Sequence, residues 1–308
     1  MSLLALIGGL LMLVAGGEAL VSGASKFALK HGMKPMVVGL TIVAFGTSMP
    51  ELFVSLAASF QNHVDIMIGN VVGSNIANIG LVLALSALIR PPEVEFPSVG
   101  KDLGLVVAVS ALVTAVAVFG FFHRGLGLLL VAGLVWYTVS SCRNSRDQPQ
   151  DPDLSEERAE RESNLKIIGL QGFGLLLLAY GSDLFIEGAV KISAWFGVPE
   201  LVVGLTVAAV GTSLPELASS LSAIRRKESD ILVGNIVGSN LFNLMMVLGG
   251  TAALKPFPMA GELLARDLPT MLGYALALLL VIYFRHRIGR LPAGIMLGGY
   301  GLYIWGLV

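Results

Sequence analysis

Apolar residues in this chain come in long unbroken runs, and short polar breaks separate the runs. A helix crossing a hydrocarbon core of about 30 Å needs about 20 mainly apolar residues. Ten segments come near that length: 3–23, 37–60, 66–89, 103–122, 126–142, 165–186, 201–224, 231–254, 268–284 and 291–307. The breaks, at residues 31–35, 61–65, 91–97, 123–125, 256–258 and 285–292, carry proline, glycine and charged residues that interrupt helices. Segment 3–23 has no basic residue ahead of it and is copied mid-chain, so it is expected to be a structural helix rather than a signal peptide. The pattern predicts an all-α polytopic membrane protein with ten transmembrane helices.

Composition agrees. Of 308 residues, 55% are hydrophobic and 13% charged, against about 25% charged in an average soluble domain. Eleven of the 41 charged residues crowd into positions 143–164, which depletes the remainder further. A soluble enzyme, a nucleic-acid binder and a disordered chain are excluded. The net charge of −1 points to no acidic or basic partner, and the lone Cys142 allows neither an internal disulfide nor a cysteine metal cluster. Residues 143–164 read as a solvated linker between a first five-helix unit, 1–142, and a second, 165–308. Asp151, Asp153, Glu156 and Glu157 within it lack the glycine-containing loop of an EF-hand and are not read as a calcium site.

Lysine and arginine placement sets the expected orientation. With the N-terminus outside, 16 of the 20 basic residues fall on the inner side, leaving Arg124, Lys191, Lys255 and Arg266 outside. Both termini are then external, and the linker is cytoplasmic.

The two units are copies. Residues 38–52, VGLTIVAFGTSMPEL, match 203–217, VGLTVAAVGTSLPEL, at 11 of 15 positions; 65–80 match 230–245 at 9 of 16. Both alignments share an offset of 165 without a gap, which also pairs Glu18 with Asp183. Because each unit has five crossings, the second enters the membrane from the opposite side. Inverted repeats of this kind build transporters with a substrate site near the midplane.

Chemistry concentrates in the repeated segments. Glu51 and Glu216 fall mid-span, where an ionisable group costs at least ~2.5 kcal/mol on insertion scales. Pro50 and Pro215, one residue earlier, remove a backbone donor and are expected to open the helix near Gly46–Thr47 and Gly211–Thr212, loosening carbonyls that can line a polar cavity. Thr47, Ser48, Thr212 and Ser213 add hydroxyls. All are hard oxygen donors, suited to Ca²⁺ or Na⁺ rather than a soft metal. On the next helix Asn70, Ser74 and Asn78 share one face, as do Asn235, Ser239 and Asn243. Ser74, Asn78, Ser239 and Asn243 lie next in line with the carboxylates. Asn70, Asn75, Asn235 and Asn240 read as polar glue between helices. Glu18 and Asp183 suggest a helix-end hydrogen bond or ion pair, and the four histidines all fall in predicted loops.

The doubled GTS-x-PE and GN-xx-GSN-xx-N segments resemble the alpha repeats of the cation/calcium antiporter superfamily, and the whole chain is similar to short prokaryotic sodium/calcium exchangers. The resemblance implies ten helices, of which the second, third, seventh and eighth form a core and the first and sixth slide against it. It also implies a diamond of four ion sites, where Ca²⁺ between the glutamates competes with Na⁺. Its ligands would be Ala44, Thr47, Ser48, Glu51, Ser74 and Asn78, then Ala209, Thr212, Ser213, Glu216, Ser239 and Asn243. Where some relatives carry Asp, this chain has Asn243, so the site holds two carboxylates, which by analogy favours potassium independence. The expected activity is electrogenic Ca²⁺/Na⁺ antiport, with proton-coupled Ca²⁺ antiport as the alternative and a cation channel as a reading from another class. No cofactor, enzymatic activity or protein partner is expected; the partners are transported Ca²⁺ and Na⁺ or H⁺, and membrane lipid.

Overall fold

The computed structural model describes residues 2–145, 163–195, 211–259 and 266–306. Its helices are α1 (Ser2–Lys30), α2 (Pro35–Thr47), α3 (Met49–Phe60), α4 (Val64–Ile89), α5 (Phe96–Val118), α6 (Arg124–Ser145), α7 (Asn164–Trp195), α8 (Leu214–Arg225), α9 (Ser229–Leu254), α10 (Leu268–Arg285) and α11 (Arg290–Trp305). Among the described residues seven helices are long and apolar enough to cross a membrane, or eight if α2 and α3, bent by 43° at their junction, count as one span.

Several elements run past their expected ends. α1 and α7 reach 29 and 32 residues, because no proline or glycine pair stops them where hydropathy falls; Lys26 and Lys30 ride on the helix instead of a loop. α5 begins at Phe96 rather than 103, with Pro97 in its first turn, where a missing N–H costs nothing. Three stretches widen to π-helix: Gly39–Val43 in α2, Asn78–Leu83 in α4 and Phe242–Leu248 in α9. Hydropathy gave no sign of these.

Lipid tails are as apolar as leucine, so helices associate through close packing and polar contacts rather than through the hydrophobic effect. α9 and α4 lie innermost, with 94% and 72% of their apolar windows buried, against 17% for α6, which turns Leu128, Leu129, Val135 and Trp136 outward. α1 lies along α7 at glycines. A Cβ on Gly9 would stand 2.5 Å from the Phe185 nitrogen, one on Gly16 2.9 Å from the Gly174 carbonyl, and one on Gly23 2.6 Å from Gln171 Cγ. Positions rise along α1 as they fall along α7, so these repeat-equivalent helices run antiparallel. α2 crosses α9 as tightly: a Cβ on Gly238 would sit 2.5 Å from the Leu40 carbonyl.

The 165-residue offset holds in the backbone. It carries α3 onto α8, end for end, and Ala84–Ile89 onto Gly249–Leu254. It maps Ser48 (φ −84°, ψ 3°) onto Ser213 (φ −86°, ψ 5°) and the left-handed Asn62 (φ 64°) onto Lys227 (φ 65°).

Connections between helices gather in two separate sets. In one, the Lys34 amide donates to Ser145 (2.7 Å), Ser25 to Glu228 (2.8 Å) and the Val94 amide to the His286 carbonyl (3.2 Å). Glu18 joins this set through Arg226 at 3.4 Å, which fits the ion-pair reading. In the other, β1 (Phe121–Phe122) pairs antiparallel with β2 (Phe257–Pro258), and Lys255 donates to the Ser59 carbonyl and Asn62. All four histidines lie between helices.

The glycine crossing should be sensitive to one methyl group. Gly238→Ala is expected to destabilise the protein by about 1–3 kcal/mol, the usual cost of overpacking, read as a lower melting temperature in detergent. Gly250→Ala, whose nearest described neighbour is Val131 Cγ2 at 4.0 Å, should leave it unchanged. Equal responses would show that this crossing does not limit stability.

Candidate functional site

Glu51 and Glu216 sit in the first turns of α3 and α8, directly after prolines. Those prolines lack an N–H, so Gly46 and Gly211 lose their i+4 donors, and the chain breaks at Ser48 and Ser213. The new helix N-termini favour a carboxylate. The freed Gly211 carbonyl has a partner on the neighbouring helix: Ser182 Oγ of α7 donates to it at 2.8 Å. A carbonyl deprived of water finds a donor on the neighbouring helix.

Both glutamates are fully buried, and none of their four carboxylate oxygens has a hydrogen-bond partner among the described residues. The carboxylates act on each other electrostatically. Thr212 lies near Glu51, while Thr47, Ser239 and Ser48 lie near Glu216.

The hydroxyls are exchanged between the halves. Thr47 Oγ1 contacts Asn235 Oδ1 (3.2 Å) and Ser239 Oγ (3.4 Å); its repeat mate Thr212 contacts Asn70 Oδ1 (3.3 Å) and Ser74 Oγ (3.5 Å). Asn78 donates to Asn240 Oδ1 (3.1 Å), and its own Oδ1 has no partner among the described residues. Asn243 is fully buried with neither amide atom bonded among the described residues, and the hydroxyls of Ser48 and Ser213 are likewise unpartnered. Asn78 opens its π-helical stretch and Asn243 is second in its own; such wide turns are frequent at functional sites. Ala44 is buried against Gly238 at the α2–α9 crossing. Ala209 lies outside the described residues.

The structure thus brings together Glu51, Glu216, Thr47, Thr212, Ser74 and Ser239, with Ser48, Ser213, Asn78 and Asn243 buried on the same segments. Asn70 and Asn235, expected as polar glue, do bond across helices, and their partners are Thr212 and Thr47 of the opposite half. No group of three or more His, Cys, Asp or Glu side chains suited to a metal occurs among the described residues. The donors are two carboxylates and neutral oxygens, a set for a hard cation.

A helical membrane protein with buried carboxylates at repeat-equivalent helix breaks, unpartnered among the described residues, belongs to the class of cation transporters rather than enzymes. Comparison with known proteins specifies which. The sodium/calcium exchanger protein family matches residues 1–143 and 166–308. The chain is 36% identical to the inner membrane protein YrbG of Escherichia coli K12, over 97% of this chain and 94% of that one. It is 31% identical to the sodium/calcium exchanger MaX1 of Methanosarcina acetivorans, over 91% and 90%. Its fold matches the sodium-calcium exchanger NCX_Mj, soaked with 2.5 mM Na⁺ and 0.1 mM Ca²⁺, with a TM-score of 0.85 at 28% identity, covering 100% and 98% of the two chains. The chain belongs to the sodium/calcium exchanger family, within the cation/calcium antiporter superfamily, and is a multi-pass membrane protein.

If the carboxylates receive a cation, a bound ion should stabilise the fold by mass action. Ca²⁺ at 100 times its dissociation constant is expected to stabilise the detergent-solubilised protein by about 2.7 kcal/mol. Glu51→Gln and Glu216→Gln should each abolish that Ca²⁺-dependent rise in melting temperature. A full rise in either variant would remove that residue from the site.

Proposed function

We propose that the chain exports Ca²⁺ in exchange for Na⁺ by alternating access, with Ca²⁺ held between Glu51 and Glu216. The observation that carries this reading is the pair of buried, unpartnered carboxylates surrounded by hydroxyls from both halves, in a member of the sodium/calcium exchanger family. Thr47, Ser48, Ser74, Asn78, Thr212, Ser213, Ser239 and Asn243, with Ala44 and Ala209 through their carbonyls, complete the proposed ligand set. The proposed frame is ten crossings in two inverted repeats, 1–142 and 165–308, joined by a cytoplasmic linker at 143–164, with both termini outside in the cell membrane. The antiparallel pairing of α1 with α7 and the two separate sets of interhelical connections support it.

Membership of the sodium/calcium exchanger family favours three Na⁺ per Ca²⁺ and hence electrogenic exchange, and Asn243 in place of a third carboxylate by analogy favours potassium independence. With both glutamates ionised the site carries −2, which one Ca²⁺ neutralises. Three Na⁺ would leave +1, the surplus ion held by neutral oxygens. One net charge per cycle couples to voltage at about 2.3 kcal/mol per 100 mV, so an inside-negative potential drives Na⁺ in and Ca²⁺ out.

In proteoliposomes with voltage set by K⁺ and valinomycin, Na⁺-driven Ca²⁺ flux should change with potential. Flux that ignores voltage and instead requires a pH gradient would establish proton coupling, since two protons also neutralise the pair. Glu51→Gln and Glu216→Gln should each abolish exchange. For topology, Asn144→Cys in a Cys142→Ser background should be labelled only from the cytoplasmic face; labelling of intact cells from outside would invert the frame.

A further inference from the structure

We propose that Asn70 and Asn235 are positioning residues that turn the hydroxyls of Thr212 and Thr47 into acceptors for the transported ion. This rests on the site reading above and adds two residues to it. A threonine hydroxyl has one proton and two lone pairs, and it ligates a cation only when its proton points elsewhere. Beside a carboxylate, that proton is drawn toward the anion, where it would meet the incoming ion. Something must accept it.

Hydrogen-bond chemistry fixes which way each asparagine faces. Asn70 Nδ2 lies 3.2 Å from the Glu51 carbonyl oxygen and 2.9 Å from Ser55 Oγ. A carbonyl can only accept, so the amide nitrogen must face it, and Asn70 Oδ1 is left toward Thr212 Oγ1 at 3.3 Å. In the other half, Ser219 Oγ donates to the Glu216 carbonyl at 3.0 Å, which occupies its proton and makes it an acceptor for Asn235 Nδ2 at 3.1 Å. Asn235 Oδ1 then faces Thr47 Oγ1 at 3.2 Å, closer than the Ala44 carbonyl of the threonine's own helix at 3.4 Å. Each relay starts on the backbone of one glutamate and ends on the threonine of the opposite half. Asn235 is buried and Asn70 half-buried, so little water competes for either hydroxyl. Neither asparagine touches the ion in this arrangement; each acts through its threonine.

The test is a pair of double-mutant cycles read by Ca²⁺ transport in proteoliposomes. Asn70→Leu should raise the apparent KM for Ca²⁺ about tenfold, the scale of one lost hydrogen bond to a charged group, with Vmax largely kept. Thr212→Val should do the same, and Asn70→Leu added to it should change KM by less than about twofold, because residues acting through one contact are not additive. Thr212→Ser keeps the hydroxyl and should retain the response to Asn70→Leu. Asn235→Leu with Thr47→Val gives the mirror cycle, which decides the matter if Asn70→Leu fails to fold. Multiplying KM effects, or a lowered melting temperature at unchanged KM, would overturn the proposal and leave the asparagines as packing residues. Robust exchange by Glu51→Gln would instead overturn the underlying site.

Discussion

Two carboxylates buried within each other's electrostatic influence set the terms for the rest of the molecule. Each ionised group costs several kcal/mol to bury after relaxation, and the pair repels itself. No lysine or arginine among the described residues acts on either group; only hydroxyls and the helix N-termini work in the anions' favour. The surroundings are built to suit a third charge. Prolines place the glutamates on fresh helix N-termini, hydroxyls approach from the opposite half, and π-helical turns widen α4 and α9 at Asn78 and Asn243. In the exchange proposed above, a bound cation would offset the burial cost, and each ion would leave as another takes its place.

Such a site needs rigid walls, and in lipid rigidity comes from close backbone approach rather than from apolar burial. The glycines of α2 and α9 bring site-bearing segments together, and those of α1 and α7 let two long helices lie along each other at the edge of the core. These two kinds of crossing differ in their polar ties. The α2–α9 crossing is stitched by Thr47, Asn235 and Ser239. α1 is joined to the α8–α9 hairpin by Glu18–Arg226 and Ser25–Glu228.

Repetition makes the two halves similar without making them identical. Ser182, which satisfies the Gly211 carbonyl, corresponds to Gly17, which has no side chain to do the same for Gly46. Arg226 and Glu228 correspond to Gln61 and His63, so the ties between α1 and the hairpin have no charged counterpart at the other end. The Asn78–Asn240 bond likewise has no mirror among the described residues, where Asn75 donates to the Val71 carbonyl instead and Asn243 has no partner. A pseudosymmetric site therefore sits between two chemically different ends.

Much of this was written in the sequence for a plain reason. Lipid forbids unsatisfied backbone and isolated charge, so long apolar runs must be helices, and Glu51 and Glu216 stand out as costly exceptions. An ungapped internal repeat also leads one to expect equivalent chemistry from both halves. Helix lengths were less legible, because α1 and α7 extend past the fall in hydropathy until a true breaker appears. The sequence alone was silent on three things: the π-helical turns, the capture of the Gly211 carbonyl by Ser182, and the pairing of each asparagine with the threonine of the opposite half. These depend on which helices cross and at what depth. Residues 142 to 192 positions apart, as Asn70 and Thr212 or Thr47 and Ser239 are, meet only when glycine-lined helices have docked. Which oxygens keep a free lone pair is settled by that docking, since hydrogen bonds are assigned by distance in space and not along the chain.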